Sequence, residues 1–134
     1  EGIREGVANN ESWHLFSSLG AEKYLSLMAC ASAVVGNSSS GLLEAPTLGV
    51  PTVNVGPRQD GRLAARSVIS CGPDQGDIEA AIARALSPEF IEFLAGMQSP
   101  YGDAGATDRI LALLESTAFD TLEQKKYYDM PQQK

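Results

Sequence analysis

Histidine is almost missing from this chain: 134 residues carry one, His14. It sits beside Trp13 in what reads as a strand, so its role is read as structural. A Ser-His-Asp triad is hard to build from that one imidazole, and no G-x-S-x-G elbow occurs. Cysteine is scarce too. Cys30 and Cys71 are far apart and follow no CxxC or Cys/His metal spacing. They read as buried or half-buried free thiols of a reducing compartment, which places the protein in the cytoplasm. No metal and no cofactor are implied. No apolar run approaches the roughly 20 residues of a membrane helix; the longest, Leu25 to Val35, is too short and is broken by Ser and Cys. Positive charge is in deficit, with ten Lys+Arg against seventeen Asp+Glu, a net −7. That argues against general affinity for nucleic acid or anionic membranes. Local anion binding by backbone N–H groups and one or two arginines stays open. The first residue is Glu, and no basic-then-apolar leader pattern follows. The chain is expected to be a piece of a longer one.

What is present is globular in kind: 43% hydrophobic and 20% charged residues. The length suits one domain, which buries roughly two-thirds of its unfolded surface. Residues 1–10 read as a weak helix end. Trp13 to Ser17 reads as a strand and 21–31 as a helix, with Tyr24, Leu25, Met28 and Ala31 near one face. The small apolar run 32–37 suits a parallel strand buried on both faces. A loop at 38–41 leads to a short helix over 42–48, interrupted by Pro46. Strands follow at 51–55 and 67–71. Helices follow at 74–86, at 88–94 with Ser87 as N-cap and Pro88 in first place, and at 107–116. Asp103 and Asp108 are read as capping or flanking that final helix. A polar tail with Lys125, Lys126, Tyr127 and Tyr128 closes the chain. Strands alternating with helices predict an α/β fold with a parallel sheet.

The segment Val34 to Pro46 carries the chemistry: a buried strand, a Ser/Gly loop, then a helix start. Ligands of parallel sheets sit outside the carboxyl ends of the strands. Backbone N–H groups at a helix N-terminus favour a phosphate there, and small residues let it approach. Glu44 is placed to accept hydrogen bonds from a ribose diol. The same three serines would equally serve as a plain helix cap. The loop Gly56 to Arg62 follows the next strand and reaches the same sheet edge, where an arginine's planar fork suits a diphosphate. Tyr101, in a Gly-rich loop, reads as turn packing.

Three stretches carry a resemblance: Gly36-Asn37-Ser38-Ser39-Ser40-Gly41-Leu42-Leu43-Glu44-Ala45-Pro46, Gly49 through Arg62 including Gly56-Pro57-Arg58-Gln59-Asp60-Gly61-Arg62, and Ser99-Pro100-Tyr101-Gly102-Asp103. In this order and spacing they resemble the UDP-N-acetylglucosamine 2-epimerases. The hydrolysing branch that feeds sialic-acid and related nonulosonate synthesis is the most similar. The similarity runs from about Ser12 to Ser116. It implies a Rossmann-like parallel sheet with flanking helices, the C-terminal half of a GT-B fold. Residues 1–118 would be that UDP-binding domain lacking its first strand, 119–134 a tail, and the N-terminal domain would be absent. Carried over by motif, Ser38 and Ser39 with the Ser40 and Gly41 backbone would bind the diphosphate. Glu44 would hold the ribose and Arg58 the phosphates, while Leu19 and Tyr24 would flank the uracil.

The partner implied is UDP or UDP-GlcNAc, with homo-oligomer formation open. The family eliminates UDP through a 2-acetamidoglucal, giving ManNAc or the 2-epimer. Its acidic groups come from the absent half, and His14 does not match the family's histidine. No catalytic residue is therefore expected in this chain, and the piece alone is expected to be inactive. Two other readings stand beside this one: the nucleotide-sugar half of another GT-B glycosyltransferase, and a non-enzymatic nucleotide-binding domain.

Overall fold

The computed structural model describes residues 2–102 and 105–119. The chain divides into two units, Glu1–Gly102 and Asp103–Lys134, taken here one at a time.

The first unit opens with helix α1 (Gly2–Ala8) and helix α2 (Gly20–Ala29). Between them, residues 13–17 form no strand. This overturns the strand expected from the Trp13–Ser17 run. A strand exists by pairing with a neighbour, and no described residue pairs with this one. Trp13, Leu15 and Phe16 are left more than half exposed, and His14 is exposed in the same coil. Trp13 does meet α1: a Cβ added at Gly6 would stand 3.0 Å from its ring.

Three short parallel strands make the sheet: β1 (Val34–Gly36), β2 (Thr52–Val55) and β3 (Val68–Cys71), in the order β1-β2-β3. Val35 pairs with Val53, and Val53 with Ile69. The central strand β2 is buried on both faces, with Thr52, Val53 and Asn54 all under 4% exposed. That is the environment continuous apolar runs signal in parallel sheets. The expectation of full burial fails for β1, where Val35 is half exposed. Among the described residues β1 pairs only with β2, and no described strand covers its outer side.

Helix α3 (Ser40–Leu43) joins β1 to β2, and a single 3-10 turn (Pro57–Gln59) follows β2. α3 starts two residues earlier than the sequence pattern predicts and ends before Pro46. The backbone carries on in turns to Gly49, because Pro46 has no N–H to extend a helical ladder. After β3 come α4 (Gln75–Ala85) and α5 (Pro88–Phe93). Ser87 caps α5 as expected, its Oγ accepting from the Phe90 N–H at 3.2 Å.

The larger core joins Val53 and Ile69 of the sheet to Ala81, Ala85, Phe90 and Leu94 of the helical side. A smaller one holds Met28, Ala45 and Val50. Because strand side chains alternate, Thr52 points away from Val53 and meets α3 instead. Cys71 is half-buried, but Cys30 is exposed, against expectation. It lies past Met28, the one buried residue of α2, and so turns off the buried stripe.

The second unit is described through helix α6 (Ala106–Ser116), with Asp108 in its first turn. Asp103 and the tail after residue 119 lie outside the described residues. Among the described residues, no helix is long and apolar enough to cross a membrane.

Candidate functional site

The carboxyl ends of β1 and β2 deliver two loops to one edge of the sheet. The first is Asn37–Ser39, running into α3; the second is the 3-10 turn with Arg58. Each is built by a local necessity. Gly41 lies so close to β2 that an added Cβ would stand 2.6 Å from Cγ2 of Thr52. Only glycine allows that approach, and Thr52 completes it by donating its hydroxyl to the Gly41 carbonyl at 2.9 Å. On the other loop, Gly56 has φ +73° and ψ −177°, a conformation that essentially only glycine adopts. It bends the chain out of β2 into the turn that carries Arg58.

The serine loop is self-bonded. Ser38 Oγ accepts from the Ser40 N–H at 3.3 Å. The Ser38 carbonyl accepts from the Gly41 N–H at 3.2 Å. Ser39 stands at the N-cap of α3, but its side chain makes no cap bond. α3 is one turn of four residues, so its dipole is small, unlike the helix start expected from sequence. The serine hydroxyls and the close backbone are what this loop offers an anion.

Tyr24 joins the loop. Its hydroxyl donates to Ser40 Oγ at 2.9 Å across sixteen residues. Leu19 is half-buried at the N-cap of the same helix, α2, and is connected to the loop through that helix. Glu44 follows α3 as its C-cap rather than standing one turn inside a longer helix. It is half-buried, and its Oε2 is buried with no hydrogen-bond partner. A carboxylate oxygen in that state favours an incoming donor, such as a hydroxyl. Arg58 is exposed, leaving its guanidinium open to a ligand anion.

The two loops are tied to each other by a residue given no role in the sequence reading. Gln59 is 5% exposed between exposed Arg58 and Asp60. Its Nε2 donates to the Asn37 carbonyl at 2.7 Å. Beside Arg58 in a polar loop, a glutamine looks like any solvated residue; only the 3-10 turn aims it inward. Asn54 was also missed. It is buried on β2, with Nδ2 donating to Ser70 Oγ at 3.3 Å and Oδ1 left without a partner. Tyr101 reaches the far end of the arginine loop, donating its hydroxyl to the Leu63 carbonyl at 2.7 Å. The structure thus gathers Ser38, Ser39, Ser40, Gly41, Tyr24 and the Arg58 turn at one edge, with Glu44 directly after α3.

Comparison with known proteins gives the chain a family. The family model of UDP-N-acetylglucosamine 2-epimerase matches residues 2–115. A Campylobacter jejuni protein named GDP/UDP-N,N'-diacetylbacillosamine 2-epimerase (hydrolyzing) is 36% identical over 91% of this chain and 32% of its own length. The polysialic acid biosynthesis protein P7 of Escherichia coli is 31% identical over 86% of this chain and 30% of its own. The chain therefore spans about a third of the length of these curated relatives. Among solved structures, the Neisseria meningitidis UDP-GlcNAc 2-epimerase bound to UDP-GlcNAc superposes with a TM-score of 0.71. It is 23% identical, and the match covers 87% of this chain and 33% of that one. A second UDP-N-acetylglucosamine 2-epimerase structure gives 0.64 at 23% identity, over 84% and 32% of the two chains. At that identity the structures speak for the fold, which is the Rossmann-like one expected from sequence. With the family model matching nearly the whole chain, the protein belongs to the UDP-N-acetylglucosamine 2-epimerase family.

Proposed function

We propose that this chain is the UDP-binding part of a UDP-N-acetylglucosamine 2-epimerase that turns UDP-GlcNAc into ManNAc and UDP, or into UDP-ManNAc. The reaction would run by elimination of UDP through a 2-acetamidoglucal. The observation that carries the reading is the pair of loops at the carboxyl ends of β1 and β2, with Glu44 Oε2 buried and unpartnered beside them. In this reading, Ser38, Ser39, Ser40 and Gly41 cradle the diphosphate and Arg58 grips it. Glu44 accepts from the ribose hydroxyls, and Leu19 and Tyr24 flank the base. A glycosyltransferase or a non-enzymatic domain is less favoured, because the family and the hydrolysing relative point to epimerase chemistry. Residues 1–118 act as the UDP-binding domain and 119–134 as a tail. The acid and base groups belong to the two-thirds of the relatives' length that this chain does not span. Binding energy without those groups holds the substrate but does not turn it over. The reading places the reaction in the cytoplasm, in keeping with two free cysteines.

The test is calorimetric titration of the chain with UDP, repeated on Glu44→Ala and Arg58→Ala. Saturable binding is expected, weakened about tenfold or more in each variant, since each removes charge-assisted hydrogen bonds. Full-strength binding by both variants would overturn the site assignment. For the activity, a full-length protein carrying this chain is given UDP-GlcNAc and no acceptor. Release of ManNAc or formation of the 2-epimer supports the epimerase; an intact substrate points to a transferase.

A further inference from the structure

We propose that Gln59 is a positioning residue for UDP: its carboxamide holds the serine loop and the arginine loop at the separation the diphosphate needs. The proposal rests on the reading of this edge as a UDP site. A buried polar side chain in an otherwise exposed loop is an informative exception. Gln59 is 5% exposed, while Arg58 and Asp60 on either side face solvent. Its Nε2–H donates to the Asn37 carbonyl at 2.7 Å, across twenty-two residues. Asn37 directly precedes Ser38, and Arg58 directly precedes Gln59. One hydrogen bond therefore links the residue before the serines to the residue after the arginine. Apart from the β1–β2 ladder itself, it is the cross-loop bond among the described residues that fixes this spacing.

The burial is not explained by the demands of folding alone. Gln59 Oε1 is buried with no partner, and a buried unpaired carbonyl oxygen is a cost that an apolar residue of the same size would avoid. The amide is retained where its N–H is needed. Without that bond, Arg58 sits on a single 3-10 turn that leaves β2 through Gly56, with no other side-chain hydrogen bond among the described residues tying the turn to the serine loop. A guanidinium gripping a diphosphate with two parallel bonds demands its place to within a fraction of an ångström. Gln59 supplies that constraint and itself touches no reacting atom.

Two variants test this. Gln59→Met keeps the length and volume but has no donor; Gln59→Leu is of similar volume and also has none. Both are compared with the unaltered chain by UDP titration and by NMR of the amides of Asn37 to Gly41 without ligand. Both variants are expected to keep the thermal midpoint within a few degrees and to shift those amides. UDP affinity should fall about tenfold. In the Arg58→Ala background the Gln59→Met loss should shrink toward nothing, because the clamp then has no arginine to present. Unmoved serine-loop amides, unchanged UDP affinity, or full additivity with Arg58→Ala would each overturn the proposal. If the unaltered chain binds no UDP, the reading of the site fails. The amide shifts then still decide the clamp: movement at Asn37–Gly41 keeps the loop linkage, and its absence ends it.

Discussion

At the scale of single residues, the site's shape hangs on one missing side chain. A Cβ at position 41 would meet Thr52 Cγ2 at 2.6 Å, inside any tolerable contact, and both partners are buried. Gly41→Ala is expected to cost about 1–3 kcal/mol by overpacking, despite alanine's better helix propensity. Chemical denaturation measures it. The contact is with a methyl group, so Thr52→Ser relieves it while keeping the hydroxyl that donates to the Gly41 carbonyl. The double variant should be more stable than Gly41→Ala alone, a non-additivity that a simple loss of glycine flexibility would not produce. Glu44 behaves in the opposite sense. Its unpartnered Oε2 contributes nothing to the ligand-free fold and resists burial. Glu44→Ala should leave the denaturation midpoint unchanged or raised while UDP affinity falls. A group kept for its ligand shows this trade between stability and function. A midpoint lowered by several degrees would show that Glu44 is structural instead.

At the scale of elements, what could be read from sequence was what depends on near neighbours. Ser87-Pro88 announces a helix start within four residues, and Ser87 Oγ does accept from the Phe90 N–H. Ser87→Ala should cost about 1 kcal/mol, seen in chemical denaturation. An unchanged midpoint would mean that Phe90, buried in the core, holds α5 without its cap. The α4 pattern was equally local, since Ala81 and Ala85 are spaced to face the sheet and both are buried there. The failures came where a distant partner decides. Trp13 to Ser17 has the composition of a strand and, among the described residues, no strand beside it. Val35 has the neighbours of a buried strand but lies on an outer one. The same divide runs through the site. Ser38 to Gly41, Glu44 and Arg58 stood out by motif and resemblance. Gln59 and Asn54 lie within the resembling stretch but drew no role there, because their burial is set by residues 22 and 16 positions away. Polar side chains carry no periodic signal of that kind.

At the scale of the whole molecule, the first unit carries several large apolar side chains that its own described residues leave exposed. Ile3, Trp13, Leu15 and Phe16 are each more than half exposed, and Ile3 and Leu15 line one hollow. Apolar surface gathered in this way is ordinarily covered by a partner, and the chain spans about a third of its relatives' length. Two forces then compete in dilute solution. Burial of these side chains, at about 25 cal/mol per Å², draws copies of the chain together. The net charge of −7 keeps them apart, and salt screens that repulsion within about 10 Å at moderate ionic strength. The sign of the salt effect follows. The isolated chain should self-associate, and more strongly in high salt than in low, the reverse of an ion-paired interface. Sedimentation velocity across a concentration series at the two salt levels measures it. Replacing Leu15 and Phe16 by lysine removes apolar area while also lowering the net charge, so charge alone would predict tighter association. If the apolar surface drives it, the doubly substituted chain sediments as a monomer in both salts. A wild-type chain that stays monomeric at high concentration in high salt would show that these side chains, though exposed, are too scattered to act as one face.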